Sequence, residues 1–240
     1  MKVIVTKNYE EMSEKAYEVV SDVIKAKPDA VLGLATGSSP IGLYENLVAA
    51  YKRGEISFKK IKTVNLDEYV GLDEKSDQSY VYFMRKHLFN GVDIDLNNTN
   101  LPNGKAEDAE AECARYTALL ETMPQDIQVL GLGSNGHIGF NEPGTAFDST
   151  THVVKLTEST IRDNSRLFAN IDEVPRYALT MGIANIMNAK KIIVVANGTN
   201  KADAVYKMVK GEVTEAVPAS VLQNHPDVIV VCDELAAAKL

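Results

Sequence analysis

Short runs of apolar, mostly β-branched residues alternate along the chain with longer stretches of helical period. The runs at 2–6, 30–34, 63–66, 127–131, 177–180, 191–195 and 228–232 predict strands. Several of them, such as Val31-Leu32-Gly33-Leu34 and Val228-Ile229-Val230-Val231, are apolar at nearly every position. That is the pattern of strands buried on both faces, as in a parallel sheet covered by helices. Between them, 10–26 places Met12, Ala16, Val19, Val20 and Val23 on one helical stripe. The stretch 40–53 opens with Pro40 in its first turn behind Ser39, the expected N-cap. Helical patterns at 106–123 and 200–210 follow. A β–α–β–α order predicts a doubly wound, mainly parallel open sheet flanked by helices. Ligands of such sheets bind beyond the carboxyl ends of the strands.

Composition narrows the picture without changing it. The chain has 240 residues, 45% hydrophobic and 24% charged, with no internal repeat or linker, so one domain spanning 1–240 is expected. A net charge of −8 and no dense Lys/Arg run argue against nucleic acid and anionic membrane as partners. An acidic chain can still hold an anionic small ligand on a few placed cations and backbone N–H groups. Cys113 and Cys232 are far apart and lack metal-ligand spacing, so both read as reduced structural thiols, as in the cytoplasm. The N-terminal apolar run is too short for a signal peptide, and no stretch is long enough to span a bilayer.

Four segments carry candidate chemistry. At 33–40, an apolar strand runs through Gly37, Ser38 and Ser39 into a helix, where small side chains and free N–H groups suit a phosphate. The segment is neither a Walker loop nor GxGxxG, which favours a monophosphate over a nucleotide. The strand ending at Leu66 is followed by Asp67 and Glu68. A carboxylate in a partly dry cleft at a strand end gains a raised pKa and can act as a base near neutrality. The third segment, 131–145, is a glycine-rich loop carrying Asn135, His137 and Glu142. Its histidine is the side chain there that titrates near neutral pH when unperturbed, and Glu142 is near enough in sequence to support the charged ring. Finally, Arg166 lies in a polar stretch and Lys201 at a helix start, where a cation opposes the helix dipole unless an anion is bound. Arg offers phosphate a planar fork and Lys a mobile point charge.

Together, TGSSP, NLDEYVGL, GLGSNGHIGFNEPGT, NSR, GTNKA and the late ASVLQNHPDVIVVCDE resemble the glucosamine-6-phosphate deaminase (isomerising) family over nearly the whole chain. The resemblance implies a Rossmann-like α/β domain with a mobile lid at about 150–180. It implies Asp67 as the base moving a proton between C2 and C1, and His137 with Glu142 as the ring-opening pair. Gly37, Ser38, Ser39, Arg166 and Lys201 are implied as the phosphate site, with no metal or other cofactor. Asn135 stands where some members carry Asp, and an amide orients a histidine without adding charge beside it. The chain is expected as a monomer or homo-oligomer. A 6-phosphogluconolactonase is the nearest alternative and would share the phosphate loop and histidine loop; the DEY carboxylates and NEPGT favour the deaminase. A non-catalytic sugar-phosphate sensor, the alternative from another class, has no use for Asp67.

Overall fold

The apolar runs form the middle of the molecule. The structure, a computed structural model, describes residues 1–165, 168 and 170–240. The chain runs β1 (Lys2–Thr6), α1 (Tyr9–Ala26), β2 (Val31–Leu34), α2 (Ile41–Lys52), β3 (Lys62–Asn65) and a short β4 (Asp67–Tyr69). It continues through α3 (Tyr80–His87), β5 (Thr99–Asn100), α4 (Ala109–Thr122), β6 (Ile127–Gly131), β7 (His152–Lys155) and α5 (Glu158–Asn164). The last elements are β8 (Tyr177–Thr180), α6 (Ile183–Met187), β9 (Ile192–Ala196), α7 (Ala202–Lys210) and β10 (Val228–Asp233). Among the described residues, short 3₁₀ turns lie between these elements.

Seven strands make a parallel sheet in the order β1-β10-β9-β6-β2-β3-β5. Every residue of β2 and β9 is buried, as their unbroken apolar sequences require of central strands with helices on both faces. The main core gathers residues such as Met12, Val20, Leu43, Leu47, Val129, Ile193 and Val230. Helix starts follow their sequences: Asn8 accepts the Glu11 N–H at 2.9 Å and Asp108 accepts that of Ala111 at 3.0 Å. Both cysteines are free and buried, and burial pushes each thiol up to about 11. Among the described residues no helix is long and apolar enough to cross a membrane.

The structure adds β4, β5 and β7 to the expected strands, and it departs from the expected pattern at 177–180 and at Ser39. The strand at 177–180 exists, but it belongs to a separate antiparallel sheet, β4-β8-β7, rather than to the parallel one. That small sheet has its own apolar cluster of Tyr69, Phe140, Leu156, Ile161, Val174 and Ala178. Ser39 does not cap α2. Its hydroxyl donates to Asn197 Oδ1 at 2.8 Å, and the Gly42 N–H at the helix start is taken by the Tyr9 hydroxyl at 2.8 Å. A partner at the end of β9 has drawn the serine away from its local helix.

Candidate active site

Chain order in the sheet reverses between β2 and β6: from β2 it proceeds through β3 to one edge, and from β6 through β9 to the other. Loops leaving neighbouring strands at such a point part company and leave a crevice. Here the crevice is a cavity of about 670 Å³ lined by the segments after β2, β3, β6 and β9. Of the residues expected at the site, Gly37, Ser38, Ser39, Asp67, His137 and Lys201 line it. Asn135 and Glu142 stand behind His137, and Arg166 lies outside the described residues.

Asp67 owes its place to a change of sheet. Leu66 still bonds to β2 through its N–H, donated to the Leu34 carbonyl at 3.1 Å, while its own carbonyl accepts the Met181 N–H at 2.6 Å. One residue later the chain has joined β8, with Asp67 opposite Thr180. Asp67 therefore sits at the seam of the two sheets, facing the cavity yet only 6% exposed. Burial, and then the negative charge of Glu68, raise its carboxyl to about 8. Glu68 is buried as well and accepts the N–H groups of Tyr69, Tyr80 and Val81.

The histidine loop is closed by short backbone contacts, among them Gly133 N–H to the His137 carbonyl at 2.9 Å. A Cβ on Gly133 would lie 2.4 Å from the imidazole, so the ring lies against bare backbone there. His137 Nδ1 is 3.5 Å from Glu142 Oε2, close enough for an ion pair but not lined up for a hydrogen bond. Glu142 is held from several sides. Asn135 Nδ2 donates to Oε2 at 2.8 Å, and the hydroxyls of Thr157, at 3.3 Å, and Thr160 donate to Oε1. Burial works to raise the Glu142 carboxyl, but His137, Thr160 and Asn135 outweigh it and hold it down at about 2. The carboxylate thus stays ionised beside the ring.

The loop after β2 and the turn after β9 are joined by the Ser39–Asn197 hydrogen bond. Gly198, with φ 89°, donates its N–H to both oxygens of Asp233 at 3.0 Å, which fixes the turn that presents Lys201. One cavity thus brings backbone, hydroxyl and ammonium groups together with a carboxyl raised by burial and an imidazole backed by a carboxylate.

Sequence reasoning missed Tyr80 and Thr160, which also line the cavity. Tyr80 sits in the first turn of a helix whose start is polar, and Thr160 reaches Glu142 from 18 residues away. The signal that could have found Tyr80 was Ser79, which caps α3 through the Tyr82 N–H at 3.0 Å. Thr160 left no local signal.

The family described as Glucosamine-6-phosphate isomerases/6-phosphogluconolactonase matches residues 6–230. A glucosamine-6-phosphate deaminase of Thermoanaerobacter pseudethanolicus is 54% identical over 239 residues, covering 99% of this chain and 94% of its own. One of Clostridium perfringens is 54% identical over 241 residues, covering both chains fully. The solved structure of a monomeric glucosamine-6-phosphate deaminase superposes with a TM-score of 0.98 at 48% identity, over 100% of both chains. A 6-phosphogluconolactonase of Trypanosoma brucei, 21% identical, shares the fold with a TM-score of 0.80, over 100% of this chain and 98% of its own.

Proposed function

The chain belongs to the glucosamine-6-phosphate isomerase/6-phosphogluconolactonase family, and on that premise we propose that it converts glucosamine 6-phosphate and water to fructose 6-phosphate and ammonia. The observation that carries the proposal is one cavity lined by Asp67 and His137 together with Gly37, Ser38, Ser39 and Lys201. In this reading the phosphate binds the residue 37–39 loop and Lys201, with Arg166 as a further contact. His137, supported by Glu142 and through it by Asn135, moves the proton that opens the sugar ring. Asp67 takes the C2 proton, giving an enolamine, and returns it to C1. Water then adds at C2 and ammonia leaves. No step calls on a metal or redox cofactor.

The segment at about 150–180 is the lid of this single-domain enzyme, which works in the cytoplasm on a small sugar phosphate and on neither nucleic acid nor membrane. The monomeric state of the 48%-identical relative supports a monomer over a homo-oligomer here. The test is ammonia release from glucosamine 6-phosphate by the purified chain and by Asp67→Asn. Turnover by the wild type, absent in the variant, is the expected result. Hydrolysis of 6-phosphogluconolactone without ammonia release from the amino sugar would move the chain to the lactonase side of its family. Sugar-phosphate binding without any turnover would leave it a sensor.

A further inference from the structure

The strand that carries Asp67 also carries a second carboxylate that the mechanism does not use. Side chains alternate along β4, so Asp67 and Glu68 point to opposite faces. Asp67 lines the cavity; Glu68 does not, and is only 3% exposed. A buried carboxylate is costly unless its oxygens are satisfied. Glu68 Oε1 accepts the N–H groups of Tyr69 at 2.9 Å and Tyr80 at 3.1 Å, while Oε2 accepts those of Tyr80 at 2.9 Å and Val81 at 3.1 Å. Each contact brings a donor to an acceptor, as an ionised carboxylate requires. Tyr80 and Val81 open α3, so the charge also sits at the positive end of that helix. Burial raises the Glu68 carboxyl above its usual value, and these hydrogen bonds work against that rise and favour the ionised form.

The residue anchored this way enters the site. Tyr80 lines the same cavity as Asp67, with its ring 4.9 Å from that of Tyr69 and stacked on Phe140 at 6.2 Å. Its hydroxyl interacts with those of Tyr69 and Thr36 and feels the charge of Asp67.

We propose that Glu68 is a positioning residue for the proton transfer: locked onto the first turn of α3, it sets Tyr80 into the cavity wall and keeps a fixed negative charge behind the base. The inference rests on reading Asp67 as that base. Asp67 interacts with Glu68 on its own strand, Tyr80 from α3 and Tyr116 from α4, and His137 and Lys201 share the lining of its cavity. Of these, Glu68 is the like charge built into the core beside it. Removing that charge makes Asp67 a stronger acid and a weaker base.

The test is the pH dependence of kcat/KM for Glu68→Gln in the full chain, followed by ammonia release from glucosamine 6-phosphate. Glutamine keeps one oxygen for the N–H groups of α3 but loses the charge. The acid limb is expected to move down by roughly half a pH unit to one unit relative to wild type. The plateau is expected to fall about tenfold, because the amide NH₂ now meets a helix donor and displaces Tyr80. Tyr80→Phe is expected to lower kcat/KM and leave the limb in place. A folded Glu68→Gln with wild-type melting temperature and an unmoved limb overturns the proposal. If Glu68→Gln does not fold, carboxyl ¹³C NMR of the wild type decides. Glu68 is expected to stay ionised at neutral pH while Asp67 titrates, and a Glu68 that is protonated at neutral pH overturns the inference. Turnover by Asp67→Asn would instead sink the assignment of the base; an inactive Asp67→Asn beside an unmoved limb in Glu68→Gln sinks the inference alone.

Discussion

Asn135 is bound to the carboxylate of Glu142, not to the imidazole of His137: its Nδ2 donates to Glu142 Oε2 at 2.8 Å, and that oxygen lies 3.5 Å from His137 Nδ1. Its own Oδ1 accepts the His137 backbone N–H at 3.2 Å. The amide therefore aims the carboxylate, and the carboxylate supports the ring. Asn135→Ala should lower kcat about tenfold, the worth of one hydrogen bond to a charged group, with a smaller effect on KM. Asn135→Asp replaces the donor with a second acceptor, so one proton must be shared between two carboxyls. It should keep turnover and add a titration to the pH–rate profile. A profile superposable on wild type would show that Asn135 does not act through Glu142.

Gly133 offers a way to disturb His137 without touching its chemistry. A methyl group there would fall 2.4 to 2.5 Å from the ring atoms Cε1, Nδ1 and Cγ. Gly133→Ala must push the imidazole off the backbone it lies against. Misplacing a catalytic group by about 1 Å costs on the order of 100-fold, so a loss of that size in kcat/KM is expected. The ring is partly exposed and can move, so the melting temperature should change little. Full activity would mean the ring position in the cavity is not the working one.

The readability of this molecule followed how local each cause was. Strands β2, β6, β9 and β10 were legible because two-sided burial writes itself as unbroken apolar sequence. Strand β4 was not: it is three residues long and two of them are acids, and what makes it a strand is β8, more than 100 residues later. The same pairing turns Asp67 toward the cavity, so its position at a strand end was readable but its burial was not. Ser39 was misread as a cap because the competing partner, Asn197, is equally remote in sequence. The glycine loop around His137 was legible as a shaped loop. The hydroxyls that hold Glu142 come from a separate helix and left no trace in the loop's own sequence.

Asp67→Asn should cost activity and add stability. In the folded chain the carboxyl holds its proton up to about pH 8, against 3.8 for an unperturbed aspartate. Between those values the native state binds more protons than the unfolded one, so stability falls as pH rises through that window. The wild type is thus penalised at pH 8 for the charge that the proposed base carries. Asparagine removes the penalty and should raise stability there by about 1–2 kcal/mol, or ~3–6 °C in Tm. The gain should disappear near pH 4. Melting curves at the two pH values check it; equal Tm differences at both would place the Asp67 pKa in the ordinary range. Wild-type kcat/KM should rise toward pH 8 over the same window, as the base ionises.

Lys201 should act on binding. It lines the cavity at the start of α7, where its charge opposes the helix dipole. Lys201→Ala should raise KM for glucosamine 6-phosphate by about 10- to 100-fold, the worth of one charged contact to phosphate. The kcat should fall less. Inorganic phosphate should inhibit the wild type competitively and the variant more weakly. Equal inhibition of both would remove Lys201 from the anion site.

Thr160 ties the 150–180 segment to the histidine pair. Its hydroxyl donates to Glu142 Oε1, and Thr157, the N-cap of α5, adds a weaker contact to the same oxygen at 3.3 Å. The first turn of α5 therefore closes over a carboxylate that Asn135 and His137 meet from the loop after β6. Thr160→Val keeps the shape and removes the donor, so Glu142 loses one of the groups holding its carboxyl down. The carboxyl should rise from about 2 toward its usual value of 4.5, still ionised at neutral pH. The stability Glu142 contributes is present above that usual value and lost as pH falls toward 2, so the variant should be less stable than wild type at neutral pH and approach it in acid. Near neutral pH, kcat should fall about tenfold through a less well-aimed Glu142, while Thr160→Ser should restore it. A Thr160→Val enzyme with wild-type kcat would separate the segment from the chemistry and leave it a cover only.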